Sequence, residues 1–189
     1  MTDDMVGLLD RVYADTAEVI DAAGSALDAP TPCEGWSVRD VANHVVGGLI
    51  VFVGTLEGEA VRPDPDAPDP DYLGSDPAGA YRGAADRCLA GFGRSGALDR
   101  VYDFVFGPTP GLVIANISLQ ESLVHGWDIA RGAGLAYTPG AGAVAAVAEF
   151  NADRDGDDIR REGMFGPEQP VPSGVSPFEA LLGRLGRTV

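Results

Sequence analysis

The stretch TPCEGWSVRDVANHVVGG, residues 31–48, passes from a proline-containing turn into a helix. Ser37 followed three residues later by Asp40 is typical of a capping box, which satisfies backbone N–H groups at a helix start. Trp36, just before the cap, is placed to pack on Val41 as a hydrophobic staple. We therefore expect a helix that begins immediately after Ser37 and runs to about residue 58.

Outward from this helix, the spacing of apolar residues, prolines and glycines predicts the other elements. We expect a helix near residues 3–27, a surface loop over the Pro- and Asp-rich residues 61–77, a helix at 77–93, an extended segment VYDFVF at 101–106, a helix with Thr109 as N-cap and Pro110 as first residue that ends at RGAG (131–134), and short helices at 142–150 and 178–185. The sequence therefore predicts an all-α fold, an antiparallel four-helix bundle with a C-terminal extension that contains short helices. We expect a single domain over 1–189, with the bundle at about 3–134 and the extension at 135–189.

Composition excludes two classes of partner. The chain has 189 residues and a formal net charge of −16 at pH 7. So acidic a chain is repelled by nucleic acid and by anionic membranes, and we expect neither as a partner. Hydrophobic residues make up 45% of the chain and aromatic residues only 7%, a balance that suits an interior of closely packed helices.

No segment of the sequence is typical of a signal peptide or of a membrane span. The N-terminus MTDDMVGLLD is acidic where a signal peptide needs positive charge. The longest apolar stretch, residues 45–53, is shorter than the roughly 18 residues that a spanning helix requires. Cys33 and Cys88 are too few and too far apart for a disulfide framework, so we expect reduced thiols and a cytoplasmic protein.

The chain has two histidines, His44 and His125, and each lies in an apolar helical segment. Glu121 precedes His125 by four residues, so both side chains project from one helix face about one turn apart. Brought together with His44, they would form a site of two histidines and one carboxylate that leaves positions open on zinc, nickel or iron. Asp128, three residues after His125, would accept a hydrogen bond from a ligating imidazole.

Each of these patterns also has an ordinary structural interpretation. A Glu four residues before a His is a common pair on helix surfaces, and a single helical His usually packs or faces solvent. Asp128 together with Trp127 is also typical of a helix end that is tied down by its own side chains. Spacing alone leaves open whether the two histidine-containing helices touch.

Two further motifs favour structural roles. Residues 151–162, NADRDGDDIRRE, match the spacing of a calcium loop, but an Asn in the first position and Asp158 in the packing position favour a solvated acidic loop. Cys33 precedes a helix start, as some reactive thiols do, but no base adjoins it in the sequence. We expect a packed or partly buried cysteine.

Taken together, TPCEGWSVRDVANHVVGG, ESLVHGWDIARGAG (121–134) and the late segment GMFGPEQPVP (163–172) resemble the small actinobacterial branch of the DinB-like metal-binding proteins. These are related to the N-terminal domain of mycothiol-dependent maleylpyruvate isomerase, and the resemblance covers nearly the whole chain. It implies a four-helix bundle that holds one divalent metal through a His on the second helix and a Glu-x3-His pair on a later helix. His44, Glu121 and His125 occupy those positions.

The resemblance defines the fold more closely than the activity, because relatives are thiol-dependent isomerases, thiol S-transferases or proteins of unknown activity. Imidazole and carboxylate ligands suit zinc, nickel and iron alike, and of these we expect zinc. The resemblance implies mycothiol as a thiol whose metal-bound sulfur attacks an electrophilic substrate. The leading hypothesis is a metalloprotein that activates a small thiol for S-transfer or isomerisation. The alternatives are a thiol-independent metalloenzyme that uses metal-bound water or a chelated substrate, and a non-catalytic metal-binding or interaction protein. We expect a small-molecule partner, and the apolar composition permits a homodimer.

Overall fold

The computed structural model describes residues 2–59, 70–152 and 165–189. This part of the chain is mostly helical, with six α-helices, one 3-10 turn and one antiparallel pair of strands. The elements are α1 (Thr2–Ala23), the 3-10 turn (Gly24–Ala26), α2 (Val38–Glu57), α3 (Pro77–Phe92), β1 (Val101–Phe104), β2 (Gly107–Pro110), α4 (Gly111–Ala133), α5 (Ala141–Phe150) and α6 (Pro177–Arg184). The chain divides into two compact units, Met1–Thr138 and Pro139–Val189. The single domain expected over 1–189 stays a prediction.

The ends of α2 follow from local sequence. Ser37 Oγ accepts a hydrogen bond from the Asp40 N–H, and the Asp40 carboxylate accepts one from the Ser37 N–H, so the predicted capping box is confirmed. The helix ends at Gly58, whose φ of 81° lies in the left-handed region that glycine adopts without strain. Both ends of the helix that carries His44 are therefore fixed by side chains and backbone of the adjoining turns.

The start of α4 differs from the sequence expectation. Thr109 and Pro110, predicted as N-cap and first helical residue, lie in β2, where Thr109 pairs with Tyr102 of β1 and its hydroxyl donates to the Gly107 carbonyl. The helix therefore begins one residue later, at Gly111, which lies too close to the Ala97 backbone for any side chain to fit. The extended segment predicted at 101–106 is confirmed as β1 over Val101–Phe104, but its partner strand was not predicted.

In the first unit, α1 packs against α3 and α4, and α2 packs against the same two helices. Their facing sides are apolar, and the largest side chains that are fully buried there include Leu9, Leu49, Tyr81, Phe92, Ile114, Leu119 and Leu123. Buried hydroxyls are hydrogen-bonded to one another: Tyr13 to Ser118 at 2.6 Å, and Tyr81 to Ser122 at 3.0 Å. These bonds join α4 to α1 and α3 inside the core, where an unpaired hydroxyl would be costly.

By length and composition, α2 is apolar enough to cross a membrane, and 56% of its most apolar window is buried inside the protein. This is weak support for a span, because the core helix of a soluble protein has the same length and composition. The described residues therefore give no clear membrane span.

The second unit contains α5 and α6, which pack against each other. The apolar residues buried on these two helices include Val144, Val147, Leu181 and Leu182. A second capping box, Ser176 with Glu179, starts α6. Residues 153–162 of the calcium-like loop lie outside the described residues. Its first position, Asn151, is buried, and its amide donates to the Val147 carbonyl of α5.

Candidate metal site

The packing of α2 against α4 brings both histidines to one place. His44 lies near the middle of α2, and Glu121 and His125 lie one turn apart on the face of α4 that meets it. His44 Nε2 is 3.5 Å from Glu121 Oε2, and His125 Nε2 is 3.4 Å from the same oxygen. The two imidazole rings are nearly perpendicular, with centroids 5.2 Å apart. The structure thus unites the three residues that the sequence singled out.

These distances suit donor atoms that share an ion. They are longer than a good N–H···O hydrogen bond, which is about 2.9 Å. Ligand atoms about 2.1 Å from a tetrahedral zinc ion would lie about 3.4 Å from each other, close to the separations seen here. One nitrogen from each imidazole and one carboxylate oxygen is also a donor set that zinc, nickel and iron accept. The residues present therefore fit a divalent metal ion.

The three side chains differ in exposure, and the difference gives the cluster an open side. His125 is 12% exposed, Glu121 28% and His44 39%. The cluster is therefore anchored in the protein through His125 and reaches solvent through His44 and Glu121. The exposed parts of His44 and Glu121 are therefore the side from which a small molecule would meet the donor atoms.

Asp128 lies behind His125 and is completely buried. Its Oδ2 is 2.9 Å from His125 Nδ1, the ring nitrogen that does not face Glu121. A hydrogen bond from Nδ1 to this carboxylate would fix the tautomer that leaves Nε2 free to bind an ion. The structure thus places Asp128 where the sequence analysis expected a supporting carboxylate.

Cys33 is partly buried, as the sequence analysis expected, but its link to this site was not predicted. Its thiol donates to the same Asp128 oxygen, with Sγ 3.3 Å from Oδ2. The contact joins residues 95 positions apart in the chain, so no local pattern could reveal it. Gly132 makes the contact feasible, because a Cβ there would lie 2.8 Å from Val38 Cγ2 and 2.9 Å from the Pro30 carbonyl. The C-terminal part of α4 therefore approaches the backbone around Cys33 closely.

The turn that carries Cys33 is held by its own hydrogen bonds. The Thr31 hydroxyl donates to the Trp36 carbonyl at 2.8 Å and accepts from the Cys33 N–H at 3.2 Å. The Thr31 N–H also donates to the Trp36 carbonyl, and the Trp36 N–H donates to the Cys33 carbonyl. Cys33 and Trp36 are thus fixed relative to each other before α2 begins.

Trp36 lies against His44, and Tyr72 lies against α2 about one turn further along the helix. The indole of Trp36 is 38% exposed and meets the His44 ring edge-on, with centroids 5.0 Å apart. Asn43 clamps the segment that carries Tyr72: its amide donates to the Pro70 carbonyl, and its oxygen accepts from the Tyr72 N–H. The space beside Gly47 on α2 is taken by the Tyr72 ring, which would lie 2.8 Å from a Cβ at that position.

The charges at the site are strongly coupled. Burial raises the pKa of Glu121, but hydrogen bonds and charges from His125 and His44 outweigh burial and hold that pKa well below its usual range. Burial lowers the pKa of His125, but its hydrogen bonds with Asp128, Cys33 and Glu121 outweigh burial and raise that pKa well above its usual value. These shifts favour the ionised form of Glu121 and the cationic form of His125, with a proton on each ring nitrogen, in the metal-free protein. A divalent cation would take the place of the proton on Nε2.

The chain is similar to known proteins over most of its length. Residues 7–130 match the family described as the mycothiol maleylpyruvate isomerase N-terminal domain. Two uncharacterized proteins of Mycobacterium tuberculosis, one from strain CDC 1551 / Oshkosh and one from strain ATCC 25618 / H37Rv, are each 31% identical to the chain over 166 residues, which is 86% of this chain and 86% of the relative. No solved structure matches the chain significantly. The matched region includes Cys33 and all four residues that the sequence analysis proposed for the site, and the chain belongs to the mycothiol maleylpyruvate isomerase N-terminal domain family.

Proposed function

We propose that the protein holds one divalent metal ion through His44, Glu121 and His125 and uses it to activate a small thiol, mycothiol or a close analogue, for S-transfer or isomerisation. The observation that carries this proposal is the pair of 3.4–3.5 Å separations around Glu121 Oε2, on a cluster with one side open to solvent. Zinc fits this donor set best in our proposal, with nickel and iron as alternatives.

Each residue has a distinct task in this proposal. His44 Nε2, His125 Nε2 and Glu121 Oε2 supply the ligand atoms, and Asp128 holds the proton on His125 Nδ1. A metal ion bound there would lower the pKa of a bound thiol, so that its sulfur is a thiolate at neutral pH. The exposed edge of Trp36 beside His44 offers an apolar surface to the part of the thiol or substrate next to the sulfur.

The family membership supports the thiol as partner, and the site itself supports nucleophilic attack by a bound molecule. Cys33 also carries a thiol near the cluster, but this thiol is hydrogen-bonded to Asp128, on the side of the His125 ring that faces away from Glu121. Our proposal therefore assigns the nucleophile to the bound thiol. With an aryl chloride as electrophile, the thiolate sulfur would form the new bond to carbon, chloride would leave, and the thiol proton would pass to solvent.

The proposal also includes the fold around the site, the class of partner and the location of the protein. The four long helices α1–α4 would form the antiparallel, DinB-like bundle that carries the site, in agreement with the helix pairs that pack against each other. The net charge of −16 supports a small-molecule partner over nucleic acid or a membrane surface. We propose a cytoplasmic location, where mycothiol would be reduced, and a homodimer is compatible with the apolar composition.

The test is thiol conjugation by purified protein that has been loaded with zinc, nickel or iron. Mycothiol and 1-chloro-2,4-dinitrobenzene are supplied, and conjugate is followed by absorbance for wild type, H44A and the control E149Q, which changes an exposed glutamate of α5. We expect metal-dependent conjugation by wild type and E149Q and a loss of at least about a hundredfold in H44A, since one ligand is removed. Metal-loaded wild type that neither binds nor consumes mycothiol would overturn the thiol assignment. Turnover of substrates without any thiol would favour a metal-bound water mechanism instead.

A further inference from the structure

We propose that Cys33 is a positioning residue of the metal site: its thiol, by donating to Asp128, fixes the carboxylate that orients the His125 imidazole. The inference rests on the proposed metal function, but the contact that carries it is present in the protein as such. Cys33 Sγ lies 3.3 Å from Asp128 Oδ2, and His125 Nδ1 lies 2.9 Å from the same oxygen. One oxygen thus receives both contacts.

Burial makes this shared oxygen important. Asp128 is 0% exposed, and a buried carboxylate must be satisfied by hydrogen-bond donors because water does not reach it. A thiol is a weak donor, yet here it points at the oxygen that also faces the imidazole. Removing the thiol proton would take one donor away from this oxygen, so the carboxylate that faces His125 would be held less firmly.

The backbone keeps the thiol in place. Hydrogen bonds between Thr31, Cys33 and Trp36 close the turn before α2, and the Val38 N–H donates to the Ala29 carbonyl at 2.9 Å. On the α4 side, Gly132 allows the helix to approach this turn within van der Waals distance. The thiol is therefore held between two rigid parts of the fold.

Cys33 lies where it can orient a metal ligand but is not itself one of the three proposed ligands. Its sulfur groups with His125 and Asp128, whereas the donor atoms of His44 and Glu121 group with the other nitrogen of His125. Partners of metal-ligating residues commonly change metal affinity about 10–100-fold when removed. Cys33 acts on His125 only through Asp128, so it is one hydrogen bond further from the ion than Asp128 is. We therefore expect its removal to weaken metal affinity less, by about 3–10-fold.

The test compares C33A, which removes the donor, with C33S, which replaces the S–H by an O–H donor. C88A is the matched control, since Cys88 is buried on α3 and its thiol donates to the Leu49 carbonyl, away from the site. Cobalt(II) affinity is measured by absorbance titration of the full chain, with circular dichroism to confirm folding. In metal-free protein, the His125 Nδ1 proton is followed by NMR of 15N-labelled histidine.

We expect cobalt to bind C33A about 3–10-fold more weakly than wild type, and C33S and C88A to bind within about twofold of wild type. The Nδ1 proton signal should move in C33A and return toward its wild-type position in C33S. Wild-type cobalt affinity together with an unmoved Nδ1 signal in C33A would overturn the inference. A sulfur-to-cobalt charge-transfer band in wild type that is lost in both C33A and C33S would also overturn it, because Cys33 would then be a metal ligand. If no variant binds cobalt, the proposed metal function fails, and the NMR signal still decides the positioning role.

Discussion

The two ring nitrogens of His125 have different neighbours: one faces the candidate metal-binding cluster, and the other faces a buried carboxylate. Nε2 faces Glu121 at 3.4 Å, and Nδ1 faces the buried carboxylate of Asp128 at 2.9 Å. Spacing along α4 predicted both neighbours, because positions three and four residues apart share a helix face. It could not predict that Asp128 is buried, since that depends on what covers the helix.

The raised pKa of His125 gives a pH dependence whose sign can be worked out for the metal-free protein. A group whose pKa is higher in the folded than in the unfolded state stabilises the fold fully below its unfolded value, about 6.5, and this contribution is lost as pH rises through the folded value. The free energy of unfolding of wild type should therefore exceed that of H125Q most at pH 6, and the difference should shrink toward pH 9.5. Urea unfolding in the presence of a chelator measures it.

The matched control for this experiment is E149Q, which should run parallel to wild type over the same pH range because Glu149 is exposed on α5. A difference between wild type and H125Q that stays constant with pH, or grows at high pH, would show that Asp128 and Glu121 do not hold a proton on His125.

At the scale of elements, a helix end was predicted correctly where it is set by neighbouring residues in the sequence. The prediction was wrong where residues far away in the sequence decide the local structure. The capping box of Ser37 and Asp40 placed the start of α2 correctly. Thr109 and Pro110 have equally good N-cap chemistry, but pairing with β1 takes them into a strand. Helix 1 was expected to reach residue 27, but its last turn tightens into the 3-10 turn Gly24–Ala26. Tertiary contacts override local propensity at such positions.

The close approach between α4 and the turn before α2 can be tested at Gly132. A Cβ at this position would lie 2.8–2.9 Å from Val38 Cγ2 and the Pro30 carbonyl, so G132A should push the turn away from α4. We expect a loss of about 1–3 kcal/mol in the free energy of unfolding, typical of overpacking, and a weaker metal affinity because Cys33 moves from Asp128. Urea unfolding and cobalt titration measure the two effects.

The control is G83A on α3, where a Cβ would meet nothing within 4 Å and the residue is exposed. This substitution should stabilise the protein by about 0.4–1 kcal/mol, since alanine loses less backbone freedom in a helix than glycine does. If G132A were as harmless as G83A, the rigid contact between the turn and α4 would not exist.

At the scale of the whole molecule, what the sequence could predict was the content of the site and not its assembly. Four residues, His44, Glu121, His125 and Asp128, were identified from residue type and helical spacing. Their convergence depends on α2 packing against α4, which the resemblance to a family implied and the spacing did not. Cys33 escaped because its contact to Asp128 spans 95 positions. The residues of the candidate metal site can therefore be identified from the sequence, whereas the contacts that bring them together come from the fold.

The central claim is that His44, Glu121 and His125 together bind one divalent metal ion, and elemental analysis tests it most directly. Untagged wild type, H44A, E121Q, H125A and the control E149Q are purified, offered zinc, nickel and iron in turn, passed through a desalting column and analysed for metal per chain. We predict close to one equivalent of one metal in wild type and E149Q, and little in the three site variants that remain folded. Folded wild-type protein that retains no zinc, nickel or iron, or site variants that retain as much as wild type, would contradict the claim.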